Sequence, residues 1–152
     1  MKGRAMPLRK PLLPLAVWLT LFLSEAAIAG DFDGSRAISG NVDRLIEINR
    51  QRVVENIDPD TVGLPATFII DFERRTIRGT PDSVVRRAIH IERIDHIEDK
   101  LILQGAVEGV TGTTGGVGWS LSIEKATGKA VLSAAGTGIA YVAFGTCTMV
   151  GN

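Results

Sequence analysis

The chain has 152 residues, with 17 basic and 17 acidic side chains and 45% hydrophobic residues. This length and apolar content suffice for one domain with its own core, while the single cysteine excludes an intramolecular disulfide. The absence of a net positive charge argues against nucleic-acid binding, because phosphate contacts need a basic face.

Residues 1–29 have the pattern of a secretory signal. A basic start precedes an apolar run from Leu12 to Leu23, and Ala27-Ile28-Ala29 is the small-x-small pattern that a signal peptidase accepts. The run is too short for a membrane-spanning helix, which needs about 20 apolar residues. We therefore expect cleavage after Ala29, a periplasmic or secreted protein, and no membrane insertion after signal removal. Cleavage leaves 123 residues with a net charge of −3.

Residues 30–65 are predicted to form a flexible lead-in that contains a short helix. The segment 30–40 is rich in Gly, Asp and Ser and has little to bury. In the following residues 41–56, Val42, Leu45 and Ile46 have helical spacing, and Asn41 could cap a helix. Short strands are the alternative for these residues, and the helix is favoured.

Residues 66–152 are predicted to form an antiparallel β domain. Apolar residues alternate with more polar ones in two clear runs: Phe68, Ile70 and Phe72, and then Trp119, Leu121 and Ile123. A hairpin turn follows the second run, with Gly128 at a position that needs a positive φ. The chain is therefore predicted to be mainly all-β, with about seven short antiparallel strands in a small barrel or sandwich.

The densest polar stretch, residues 90–100, contains two histidines and four carboxylates. Imidazole and carboxylate groups hold zinc or copper or act as acid and base, which makes His90, Asp95 and His96 candidate metal ligands. On a straight strand, however, His90 and His96 would be about 20 Å apart. A charged outer face of the sheet is the favoured interpretation, and neither a metal nor another cofactor is expected.

The glycine-rich segment 109–118 matches no phosphate-binding motif. We interpret it as a loop that contacts a partner through Gly109, Thr111, Thr113, Thr114 and Gly116. A serine nucleophile is poorly supported, because the segment around Ser120 lacks the second glycine of the G-x-S-x-G motif. The sequence also cannot place any two of its carboxylates at the separation that glycoside hydrolysis requires.

Trp119 and Cys147 each allow more than one interpretation. Trp119 fits a core position beside Leu121 and Ile123 better than a ligand-stacking position at a barrel mouth. Cys147 lies on a strand with two apolar faces, so alternation does not decide which face meets the core. An exposed thiol in an oxidising compartment would be captured as a Cys147-linked dimer or a mixed disulfide, and a buried, reduced thiol is favoured.

Several segments resemble a group of small uncharacterised secreted β-rich proteins of Gram-negative bacteria. The resemblance lies in Ile70-Asp71-Phe72, in residues 100–105 and 118–123, in Thr127-Gly128, and in residues 144–148. It implies a secreted compartment and a β-rich fold, and it supplies no catalytic residue.

Two functional hypotheses result. The favoured one is a non-enzymatic periplasmic or envelope protein that presents loops to a protein or small-molecule partner. The alternative is a small periplasmic metal-binding protein or hydrolase that uses the polar cluster from His90 to Asp99. The two hypotheses differ in whether His90, His96 and a carboxylate converge in one pocket.

Overall fold

The computed structural model describes residues 31–108 and 115–151, which form ten β-strands and one 3₁₀ turn, Pro59–Val62. The predicted signal and residues 109–114 of the glycine-rich loop lie outside the described residues. The strands are β1 (Ile38–Asn49), β2 (Val53–Glu55), β3 (Thr67–Asp71), β4 (Thr76–Gly79), β5 (Ala88–His90), β6 (Arg93–Ile97), β7 (Lys100–Glu108), β8 (Gly116–Glu124), β9 (Lys129–Gly136) and β10 (Ile139–Met149).

Nine of the strands form one curled, antiparallel half-barrel in the order β5–β4–β3–β1–β10–β9–β8–β7–β6, and β2 pairs with β1. The all-β prediction is confirmed, with more strands than the seven expected. Two strands come from the segment predicted to be a helix, and residues 88–97 form two separate strands, β5 and β6. In the part of the chain that the structure describes, no helix has the length and apolarity needed to cross a membrane.

The helix predicted within residues 41–56 is wrong, because these residues continue β1 and form β2. A bulge between Val42 and Arg44 explains the misleading spacing. The extra residue lets Val42 and Leu45 contribute to the interior although they are three positions apart, which imitates a helical repeat. Within the predicted lead-in, Ile38–Asn49 is instead a central strand, which pairs with β10 on one side and with β2 and β3 on the other.

The β8–β9 hairpin follows its predicted pattern. Trp119, Leu121 and Ile123 are buried, with Ile123 fully enclosed, whereas Ser122 faces the opposite side. The hairpin turn contains Gly128 at φ 71°, the left-handed conformation expected for it. Inward alternation on β8 therefore places the indole of Trp119 inside the half-barrel.

Residues 91 and 92 hold the two edges of the half-barrel near each other. The backbone N–H of Ile91 donates to the carbonyl of Arg75 beside β4 (2.8 Å), and that of Glu92 donates to Gln104 of β7 (2.9 Å). The Arg75 side chain donates back to the carbonyls of Ile91 (3.1 Å) and Glu92 (2.7 Å). The short segment between β5 and β6 is thus hydrogen-bonded both to Arg75, next to β4, and to β7. These two strands lie next to the two end strands of the sheet, β5 and β6.

Replacing Arg75 with alanine should therefore destabilise the fold. Loss of two hydrogen bonds from a charged donor should lower the free energy of unfolding by about 1–2 kcal/mol, measured by urea denaturation. Arg74→Ala is the matched control, because Arg74 is exposed and forms a local ion pair with Asp71 (2.8 Å), three residues away. Equal unfolding midpoints for the two variants would contradict a structural role for Arg75.

Candidate functional site

An apolar cavity of about 70 Å³ lies among the inward-facing side chains of the half-barrel. All strands except β2 and β6 contribute to its lining, and Leu64 and Pro65 complete it from the segment before β3. Aromatic rings from three strands, Phe68, Trp119 and Tyr141, form part of the wall. The cavity has the apolar, pre-formed character of a small-molecule site, although it is smaller than most such sites.

One row of cross-strand neighbours organises the cavity. In the register of the sheet, Glu47 of β1 lies opposite Tyr141 of β10, which lies opposite Ala134 of β9. Ala134 lies opposite Trp119 of β8, which in turn lies opposite Gly105 of β7. From Tyr141 to Gly105, large and small residues therefore alternate, and Ala134 lies between the two aromatic residues in the register.

The absence of a side chain at Gly105 lets the Trp119 ring lie against β7. A Cβ atom built at Gly105 would come within 2.7 Å of Cζ2 of Trp119 and 2.8 Å of the backbone oxygen of His90. Either contact is too short for a real Cβ, so any larger residue would displace the indole or β5. Gly105 thus fixes the position of the ring that borders the cavity.

The indole N–H of Trp119 is buried, and Nε1 has no hydrogen-bond partner among the described residues. The side chain is only 8% exposed, so water does not replace the missing partner freely. An unsatisfied buried donor costs about 1–3 kcal/mol, and each such group in a native structure calls for an explanation. Here the donor belongs to a residue that lines the cavity.

At the β1 end of the row, Tyr141 lies beside a pair of polar residues, Glu47 and Asn49. Asn49 donates a hydrogen bond through Nδ2 to Oε1 of Glu47 (3.0 Å), and both groups are partly buried. Burial raises the pKa of the Tyr141 phenol, and the nearby Glu47 carboxylate raises it further. Tyr141 therefore stays protonated at physiological pH and contributes a neutral hydroxyl.

The candidate metal ligands are at the surface of the described sheet. His90 of β5 pairs with Thr76 of β4, and His96 of β6 pairs with Leu101 of β7. Both histidines are exposed. Asp95 forms an ion pair with Arg93 (2.7 Å). Across residues 31–108 and 115–151, no three His, Cys, Asp or Glu side chains gather as a metal site would require.

Among the predicted partner-contact residues, Gly109, Thr111, Thr113 and Thr114 lie outside the described residues. Gly116 is exposed at the start of β8 and pairs with Glu108, the last residue of β7. The next pair inward, Val107 and Val117, lines the cavity. The glycine-rich segment is therefore connected to strands whose ends form the cavity wall.

Cys147 lies on the inward face of β10, together with Tyr141 and Ala143. The residue is 4% exposed, and burial raises the pKa of its thiol to about 12. Its backbone N–H donates to the carbonyl of Gly128 (2.7 Å), which ties β10 to the β8–β9 turn. The structure thus decides between two faces that the sequence left equivalent.

Sequence reasoning missed the cavity itself. The sequence favours a core position for Trp119 over a ligand-stacking one, and in the structure the residue is buried and also borders the cavity. No sequence pattern marks Tyr141 or Ala134 as a site residue, because the cross-strand register is what brings them to the cavity. Glu47 was assigned to a helix, so its position beside Tyr141 could not be predicted.

Comparison with known proteins identifies no relative: no protein-family model, curated protein or solved structure significantly matches the chain.

The high pKa of Cys147 predicts a specific pH dependence of stability. The folded protein retains the thiol proton up to about pH 12, whereas the unfolded chain loses it above the ordinary value of 9.0. This stabilisation is complete below pH 9 and is lost as the pH rises. Relative to Cys147→Ala, the native sequence should lose up to about 1.4 kcal/mol of unfolding free energy per pH unit between about pH 9.5 and 11.

Urea denaturation of both proteins across this pH range provides the measurement, and titrations shared by the two proteins cancel in the difference. Parallel stability curves would show that the thiol ionises equally in the folded and unfolded states, which would contradict its burial.

Proposed function

We propose that the protein is an exported binding protein that holds a small apolar molecule in its interior cavity. The observation that supports this most directly is the cavity itself, which is apolar and bordered by the aromatic residues Phe68, Trp119 and Tyr141. Pre-formed apolar cavities with a few polar groups are the usual form of small-molecule sites.

We further propose that the curled sheet acts as a small barrel. The bonds from residues 91 and 92 to both edges support closure, since β5 and β6 are consecutive in the chain and form the two ends of the sheet path. An antiparallel barrel buries its inward face and leaves no free edge strand. Closure in this form would enclose the cavity and keep water away from a bound apolar molecule.

The interior cavity also makes the hypothesis of a non-enzymatic binding protein more specific. That hypothesis assigned partner contact to loops, whereas the cavity offers a position for a small molecule between strands. The exposed, separated histidines of β5 and β6 offer no comparable enclosure. We therefore propose binding in the interior rather than chemistry at the polar stretch.

Binding is testable with residues 30–152 and xenon, an apolar probe small enough for a cavity of about 70 Å³. Trp119 is the one tryptophan in this segment, so its indole N–H gives a single signal in a ¹H–¹⁵N spectrum. Xenon should shift this signal saturably. Ala134→Leu should weaken binding by about tenfold or more, because the added methyl groups occupy the space between Tyr141 and Trp119.

Ala135→Leu is the matched control, because Ala135 adjoins Ala134 but is exposed on the opposite face. Thermal melts check that each variant is folded, and Ala134→Val supplies a smaller replacement if leucine overpacks the interior. Equal binding by the Ala134 and Ala135 variants, or no saturable shift in the native sequence, would refute the proposed site.

Export is a separate part of the proposal, and its support is the signal pattern of residues 1–29. Expression of the full chain in a Gram-negative host should release a soluble periplasmic product whose intact mass corresponds to residues 30–152. A membrane-associated product that retains the Leu12–Leu23 run would contradict it.

A further inference from the structure

Two of the aromatic rings that line the cavity each lie over a glycine of a neighbouring strand. Resting on the function proposed above, we propose that these glycine–aromatic pairs, Gly40–Phe68 and Gly105–Trp119, determine the specificity of the site. The glycines let the rings lie against the wall of the half-barrel, which keeps the cavity open, and the rings set its upper size limit. The ligand is then an apolar molecule of the size of xenon or a short hydrocarbon, and benzene is excluded.

Both glycines occupy inward-facing positions of their strands. Gly40 lies on β1, two residues after the fully buried Ile38. Gly105 lies on β7, two residues after the fully buried Leu103. Because residues two apart on a strand share a face, a larger side chain at either position would extend into the interior.

The aromatic rings cover the two glycines directly. Phe68 is opposite Gly40 in the register, and a Cβ atom built at Gly40 would come within 2.9 Å of Cε1 of the ring and closer still to Cε2 and Cζ. Trp119 is opposite Gly105, where a Cβ would come within 2.7 Å of Cζ2. Since Phe68 and Trp119 both line the cavity, the missing Cβ atoms decide how far each ring extends into it.

The volume and lining of the cavity define the class of ligand. The cavity is apolar and measures about 70 Å³. An apolar cavity of about 150 Å³ takes up benzene, so a cavity of half that volume takes only smaller molecules. A polar molecule would lose its hydrogen bonds to water without replacement, which favours an uncharged, apolar ligand.

Gly40 offers the sharper test of the two glycines. The three atoms nearest to a Cβ at Gly40 all belong to the Phe68 ring, whereas a Cβ at Gly105 would also meet the backbone oxygen of His90 at 2.8 Å. The β1–β3 ladder holds the backbone of Phe68 in register, so Gly40→Ala would move the ring into the free space of the cavity. This variant should weaken xenon binding by about tenfold or more, measured by the saturable shift of the Trp119 Nε1–H signal.

Gly118→Ala is the matched control. Gly118 is an exposed glycine of β8, and a Cβ built there would meet no atom of the described residues within 4 Å. Xenon should therefore bind Gly118→Ala as it binds the native sequence, and thermal melts check that every variant is folded.

A compensating substitution separates displacement of the ring from general damage to β1. Phe68→Leu removes the ring atoms that a Cβ at Gly40 would meet. In the Phe68→Leu background, Gly40→Ala should therefore change xenon affinity by less than about threefold. An equal loss of affinity in both backgrounds would overturn the inference, because the effect of Gly40→Ala would then not depend on the Phe68 ring.

Phe68→Ala tests the size limit independently, even if Gly40→Ala does not fold. The native sequence should respond saturably to xenon and not to benzene. Phe68→Ala should respond to benzene as well, because it removes a ring from the cavity wall. Benzene binding by the native sequence, or its failure to bind to folded Phe68→Ala, contradicts a size limit set by this ring.

The xenon measurements also separate the inference from the proposed function. If Gly40→Ala binds xenon as well as Gly118→Ala does, the cavity remains a ligand site and the role of the glycine–aromatic pairs is wrong. If xenon produces no saturable shift in the native sequence, the proposed function itself is refuted.

Discussion

The pairing of β1 with β10 is the interaction on which the rest of the structure depends. It runs the length of both strands, from Ile38 opposite Met149 to Asn49 opposite Ile139, and it joins β3–β5 to β6–β10. The paired residues are distant in the chain, so the closure entropy must be overcome before the contacts form. The same pairing places Glu47 beside Tyr141, which borders the cavity.

Local patterns predicted the strands that follow simple alternation, and they failed where the alternation is interrupted. The β8–β9 hairpin was predictable because Trp119, Leu121 and Ile123 face inward without interruption and Gly128 marks the turn. β1 was not predictable in the same way, since its bulge places two inward residues at a helical interval. Short-range spacing cannot distinguish a bulged strand from a helical turn when the pairing partners are far away in the chain.

The candidate site was less predictable than the fold, because it exists only in the register between strands. Trp119 could be expected in the interior from its own neighbours in sequence. That Ala134 would separate it from Tyr141, and that Gly105 would accommodate its ring, depends on three hydrogen-bonded ladders. The exposed histidines illustrate the converse: residues close in sequence and chemically suggestive lie on two separate short strands.

The row that borders the cavity departs from efficient packing in two ways. Protein interiors are normally close-packed, yet a cavity of about 70 Å³ remains beside Tyr141, Ala134 and Trp119. Buried donors are normally satisfied, yet the neighbouring Trp119 N–H has no acceptor among the described residues. Departures of this kind are expected at functional sites, where local consistency is given up for binding. Under the proposed function, a small apolar ligand that filled the cavity would restore the missing packing contacts. Because such a ligand binds only the folded sheet, occupancy would also stabilise the long-range β1–β10 pairing that creates the site.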